Sequence, residues 1–135
     1  MLLVLDTNVL VSALLKQESV PGLTIQIILR DHFLAVDTRM LTEYRLVTAR
    51  PQFRINPYTR EKILSSIASF SMHVQATPLD VPPVKLLDPK DLPFAVVAVA
   101  AKADALVTGN VRHFAFLSDF GIKTLTPAQF VKMFE

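Results

Sequence analysis

Three acidic side chains occupy comparable places along this chain: Asp6, Glu43 and Asp91. Asp6 ends an apolar run at residues 2–5. Glu43 falls about one and a half turns into the segment after a second apolar run, at residues 32–36. Asp91 lies in Asp88-Pro89-Lys90-Asp91, at the head of a third apolar stretch, and Asn110 closes Leu106-Val107-Thr108-Gly109-Asn110. Oxygen donors without cysteine and without paired histidines suit a hard cation, Mg²⁺ or Mn²⁺. Gathered in one place, such acids need a cation: two unit charges about 4 Å apart repel by roughly 4 kcal/mol at an effective dielectric near 20. A metal held this way can activate water, neutralise a scissile phosphate and stabilise the leaving oxygen, so phosphodiester hydrolysis needs no Ser, Cys or His nucleophile. Each acid also has a plainer reading. Asp6 suits a helix cap or turn, Glu43 a solvated helix face, and Asp88 could replace Asp91 as ligand although it fits a cap better. Asp104 begins its strand and is excluded as a ligand. An aspartyl-phosphate mechanism is disfavoured, because Asp6 has no second Asp two residues later.

The elements that must position these groups follow from hydrophobic pattern. A short unbroken apolar run such as residues 2–5 is the signature of a strand buried on both faces, as in a parallel sheet. Further strands are expected at 32–36, 74–77, 104–107 and 122–125. Helices are expected from Thr7 to about Leu15, up to Arg30 and Asp31 after Pro21, and from Met40 to Val47. Others are expected after a Thr59 cap, from Phe94 to Ala103 with Pro89 at the first helical position, and after Thr126-Pro127. Residues 94–103 are nearly all alanine and valine, so that helix should be buried on most sides. Pro78, Pro82 and Pro83 imply an extended connection. Strands alternating with helices give one domain over residues 1–135, a three-layer α/β/α sandwich around a mostly parallel sheet of four or five strands. Ligands of such sheets collect outside the carboxyl ends of the strands.

Composition narrows the class. With 51% hydrophobic and 19% charged residues the chain is globular, not disordered. The absence of cysteine excludes disulfides and thiolate metal sites and is compatible with a reducing cytoplasm. No secretory leader or membrane span is expected: Asp6 interrupts the first run, and residues 92–101 are too few to cross a bilayer. A net charge of +2 says little about partners, but six of the seven arginines lie between Arg30 and Arg60. Guanidinium forks suit phosphate oxygens, so Arg45, Arg50 and Arg54 are candidates for RNA contact. So is Arg112, and beside it His113; a solvated helix face is the alternative for the whole set.

Five motifs recur here in an order known from one family: Leu-Asp-Thr-Asn-Val (5–9), Leu-Thr-Glu-Tyr (41–44), Arg-Pro-Gln-Phe (50–53), Asp-Pro-Lys-Asp (88–91) and Leu-Val-Thr-Gly-Asn (106–110). Together they make the chain similar to the PIN domain, in particular the branch of toxins from toxin–antitoxin systems, which the closing segment 122–130 also resembles. The resemblance implies a metal-dependent endoribonuclease whose Asp6, Glu43 and Asp91 bind metal, with a fourth acid where this chain has Asn110. Asparagine offers a carbonyl oxygen but one negative charge fewer, which leaves the metal count open. Asn8 and Thr108 could hydrogen-bond the ligands, or simply cap and turn the chain. An antitoxin covering the acidic groove and a homodimer are implied by the resemblance alone. The alternative is a PIN-like module that binds RNA or a protein through the arginine-bearing face without cutting.

Overall fold

A computed structural model describes residues 1–75 and 88–134. Five strands alternate with helices: β1 (Leu2–Leu5), α1 (Thr7–Leu15), α2 (Val20–Asp31), β2 (Phe33–Val36), α3 (Thr38–Thr48), a 3-10 turn (Pro51–Phe53), α4 (Pro57–Phe70) and β3 (Met72–His73). There follow α5 (Leu92–Ala101), β4 (Ala105–Val107), α6 (Val111–Phe114), a second 3-10 turn (Ala115–Phe120), β5 (Lys123–Leu125) and α7 (Pro127–Met133). The sheet order is β3-β2-β1-β4-β5, and every pair is parallel. The chain is thus the expected three-layer α/β/α sandwich around a parallel sheet.

β1 is central because Leu3, Val4 and Leu5 are apolar on both faces and wholly buried. Leu5 lies opposite Val107 in the β1–β4 register. The ladder runs one step further, where the Asp6 N–H donates to the Val107 carbonyl at 2.9 Å. The strand order reverses between β1 and β4, the topological switch point at which open sheets part to leave a crevice. Asp6 and Thr108 sit at that point. At the opposite end Asp104 accepts the Leu2 N–H at 2.7 Å, a structural duty that agrees with its exclusion as a ligand. Helix α5 is buried from Phe94 to Ala98, and its small side chains let it lie close against β1 and β2.

Three local expectations are corrected. The helix holding Ile63, Leu64 and Ile67 is capped by Asn56, which accepts from the N–H groups of Tyr58 and Thr59; Pro57 takes the first helical position, where its missing N–H costs nothing. The third strand is Met72–His73, not 74–77, although the Val74 N–H still reaches the Val36 carbonyl at 2.9 Å. Both of its residues are exposed, so neither an apolar run nor an alternation marks it; Ala76, Thr77 and the prolines at 78, 82 and 83 lie outside the described residues. Helix α5 begins at Leu92 with Asp91 as its flanking residue, not at Pro89. Pro93 carries no N–H to give four residues back and so is accommodated only in a first turn. Residues 88–91 instead form a separate turn in which the Asp88 side chain accepts the Lys90 N–H at 2.9 Å.

Candidate functional site

At the switch point an open cleft of about 920 Å³ is lined by Asp6, Glu43, Asp91 and Asn110, which come from four separate stretches of chain. Each reaches it for a local reason. Asp6 is the first residue beyond β1. It stands where a cap would, yet its carboxylate makes no capping bond to α1 and accepts the Thr108 hydroxyl at 2.7 Å instead. Glu43 leans back along α3 and accepts the Thr7 hydroxyl. Asp91 flanks α5, also without a capping bond, and its Oδ2 lies 3.2 Å from Nδ1 of His113. Asn110 follows β4, and its backbone N–H donates to the Thr108 hydroxyl at 3.0 Å, which completes a relay from Asn110 through Thr108 to Asp6.

The electrostatics single out Asp6, which is only 6% exposed. Burial raises its pKa above the ordinary aspartate value, and the nearby charges of Asp91 and Glu43 raise it further. The Thr108 hydroxyl and the Thr7 backbone N–H oppose that rise without cancelling it. These are hard oxygen donors with a mutual repulsion that a cation would relieve, so the donor set fits Mg²⁺ or Mn²⁺ in its chemistry. Among the described residues no three or more His, Cys, Asp or Glu side chains are grouped so as to hold an ion as they stand.

The other expected residues divide. Thr108 is wholly buried and bonded to Asp6. Asn8 lines the cleft and packs beside Gly109, where an added Cβ would lie 3.6 Å from its amide nitrogen. Arg50 lines the cleft, but Arg45 does not: it forms an ion pair with Glu61 of α4 at 2.8 Å. Arg54 is exposed and closes the 3-10 turn in the left-handed region, at φ 51°. Arg112 lines a different, shallow depression with Lys123 and Ser118. The cleft's cations are therefore Arg50, Lys90 and Arg39, the last paired with Asp37 at 3.1 Å, and Leu15, Leu46 and Phe53 form an apolar wall. Arg39 and Lys90 were not singled out by sequence; flanking Asp37-Thr38 and Asp91 was their only signal. Thr7 and Tyr44 were missed as well. The buried Tyr44 phenol donates to the Leu5 carbonyl and ties α3 to the end of β1.

A family model described as a PIN domain matches residues 2–112. No curated protein matches the chain. Among solved structures, it is similar to VapBC2 from Rickettsia felis bound to a DNA fragment from their promoter. That likeness has a TM-score of 0.58 at 17% identity and covers 92% of this chain and 98% of that one. It is also similar to a PilT N-terminus domain protein from the hyperthermophilic archaeon Sulfolobus solfataricus P2, with a TM-score of 0.59 at 14% identity, covering 98% and 92% respectively.

Proposed function

The chain belongs to the PIN domain family, and from that premise we propose that it is a divalent-metal-dependent endoribonuclease, the toxin of a toxin–antitoxin pair. The observation that carries the reading is the meeting of Asp6, Glu43, Asp91 and Asn110 in one cleft at the switch point of the sheet. In this reading Asp6, Glu43 and Asp91 hold Mg²⁺ or Mn²⁺, and Asn110 contributes its amide oxygen. The cation, when bound, supplies Lewis acidity toward the scissile phosphate and a more acidic water. The protein's own groups do the rest. Thr108 and Thr7 each hold one carboxylate in place. Arg50 and Lys90 bind phosphates of the RNA backbone, and Leu15, Leu46 and Phe53 line one flank of the cleft. Replacing Asp6 with Asn keeps the shape and removes the charge. Cleavage of single-stranded RNA in Mn²⁺ should be abolished while the circular dichroism spectrum is kept; a variant that cuts as fast as the parent would refute the assignment.

Asn110, standing where the family resemblance calls for an acid, favours a second reading: a PIN module that binds RNA without cutting it. Titration calorimetry separates the two, because a nuclease of this design gives a binding heat with millimolar Mn²⁺ and the module gives none. The likeness to VapBC2 supports a small antitoxin protein as partner, laid over the acidic cleft, and we extend the proposal to a homodimer of this chain in the cytoplasm. Among the described residues no helix is long and apolar enough to cross a membrane. Elution at monomer mass on a calibrated column counts against the dimer.

A further inference from the structure

Each of the three carboxylates in the cleft has one oxygen engaged by one side chain from another element. Thr108, just past β4, engages Asp6; Thr7, at the head of α1, engages Glu43; and His113, on α6, engages Asp91. The first two donors are hydroxyls. The third is an imidazole nitrogen 3.2 Å from Oδ2, on a ring that is otherwise 55% exposed. Among the described residues His113 is the sole side-chain partner of Asp91, whose carboxylate makes no capping bond to α5. Two features set the ring's position. β4 delivers the chain to Asn110, and α6 then turns once, with the His113 N–H bonded to the Asn110 carbonyl at 3.0 Å. The segment that brings Asn110 to the cleft therefore also brings His113 to Asp91.

We propose that His113 is the positioning residue for Asp91: its Nδ1–H holds Oδ2 and so presents the other carboxylate oxygen to the cation that the nuclease reading requires. The inference rests on that reading for the cation, but not for the hydrogen bond. Asp91 is the acid most in need of such a strut. It lies on a turn at the head of α5, outside the sheet, whereas Asp6 is fixed by the β1–β4 ladder. Outer partners of this kind govern ligand orientation, and their loss typically weakens metal binding by about 10- to 100-fold.

Two measurements on the full chain test this. In the metal-free protein at alkaline pH, where imidazole is neutral, long-range proton–nitrogen NMR should show His113 protonated on Nδ1. Asp91→Ala should return the ring to the Nε2–H form favoured by free histidine. In Mn²⁺ calorimetry, His113→Ala should bind at least about tenfold more weakly than the parent. His113→Asn, whose amide N–H can stand near the Nδ1 position, should recover most of that loss, and melting curves check that both variants fold. An Nε2–H ring in the parent overturns the proposal. So does His113→Ala binding as tightly as the parent, or His113→Asn as weak as His113→Ala. If the parent binds no Mn²⁺, the nuclease reading fails, and the NMR result still decides the hydrogen bond.

Discussion

At position 6 the fold holds a carboxylate where burial and two like charges disfavour ionisation, against one hydroxyl and one backbone N–H that favour it. Its folded pKa is raised, so between the unfolded value of 3.8 and the raised folded value the native state binds more protons than the unfolded chain. Stability is lost as pH rises through that window, and above the raised folded value the whole penalty is present. Asp6→Asn removes the charge and keeps an acceptor for Thr108. The metal-free variant should therefore melt higher than the parent at pH 7, with the difference closing toward acid pH; about 1 kcal/mol corresponds to roughly 3–6 °C in a domain of this size. Added Mn²⁺ should reverse the ranking, because a ligand present at about 100 times its Kd stabilises the form that binds it by about 2.7 kcal/mol. Melting curves with and without Mn²⁺ at two pH values read both effects. The places of Asp6, Glu43 and Asp91 were legible in the sequence because Asp6 follows an apolar strand, Glu43 lies in the helix after one, and Asp91 precedes an apolar helix. The direction of the arginines was not. Arg45 is two residues from Glu43, about 200° around the helix, which turns it away from the cleft and toward Glu61.

Two elements are locked by single atoms that sequence pattern does not reveal. Tyr44 reads as a core aromatic, but its hydroxyl donates to the Leu5 carbonyl, one residue before Asp6, and so fixes how far along β1 the Glu43 helix sits. Tyr44→Phe takes a buried donor from that carbonyl and should cost about 1–3 kcal/mol in urea unfolding with an unchanged m-value. Gly22 lies in the first turn of α2, where an added Cβ would fall 2.0 Å from the Gln17 carbonyl oxygen. That contact is with backbone at the α1–α2 junction and cannot be relieved by rotating a side chain. Gly22→Ala should therefore lower stability by about 2–3 kcal/mol, read in the same experiment. The strands at residues 2–5, 32–36, 104–107 and 122–125 were legible from their apolar runs to within one residue or so, and α5 from its alanines and valines. β3 was displaced because an exposed two-residue edge strand carries no pattern, and the start of α5 because Pro93, not Pro89, limits it.

On the scale of the whole molecule, spacing gave a parallel sheet but not its order, since pairing β1 with β4 joins residues about a hundred positions apart. That pairing makes the crevice and decides which cations border it. Net charge, at +2, is too small to steer RNA by itself, so binding should depend on local phosphate contacts. Three cations line the cleft, and of these Arg39 is paired with Asp37 at 3.1 Å, which leaves Arg50 and Lys90 for phosphate. Neutralising a phosphate on a single strand contributes about −0.7 to the slope of log K against log salt. For single-stranded RNA bound to the uncleaving Asp6→Asn protein, followed by fluorescence anisotropy, the slope should be about −1.4. Arg50→Ala and Lys90→Ala should each make it shallower by about 0.7. Arg45→Ala should leave it unchanged, because that guanidinium is paired with Glu61, and Arg112→Ala should do the same, because it borders a separate depression. A shallower slope in Arg112→Ala with none in Lys90→Ala would mean that the RNA runs over α6 instead, and that the acidic cleft is not where its backbone lies.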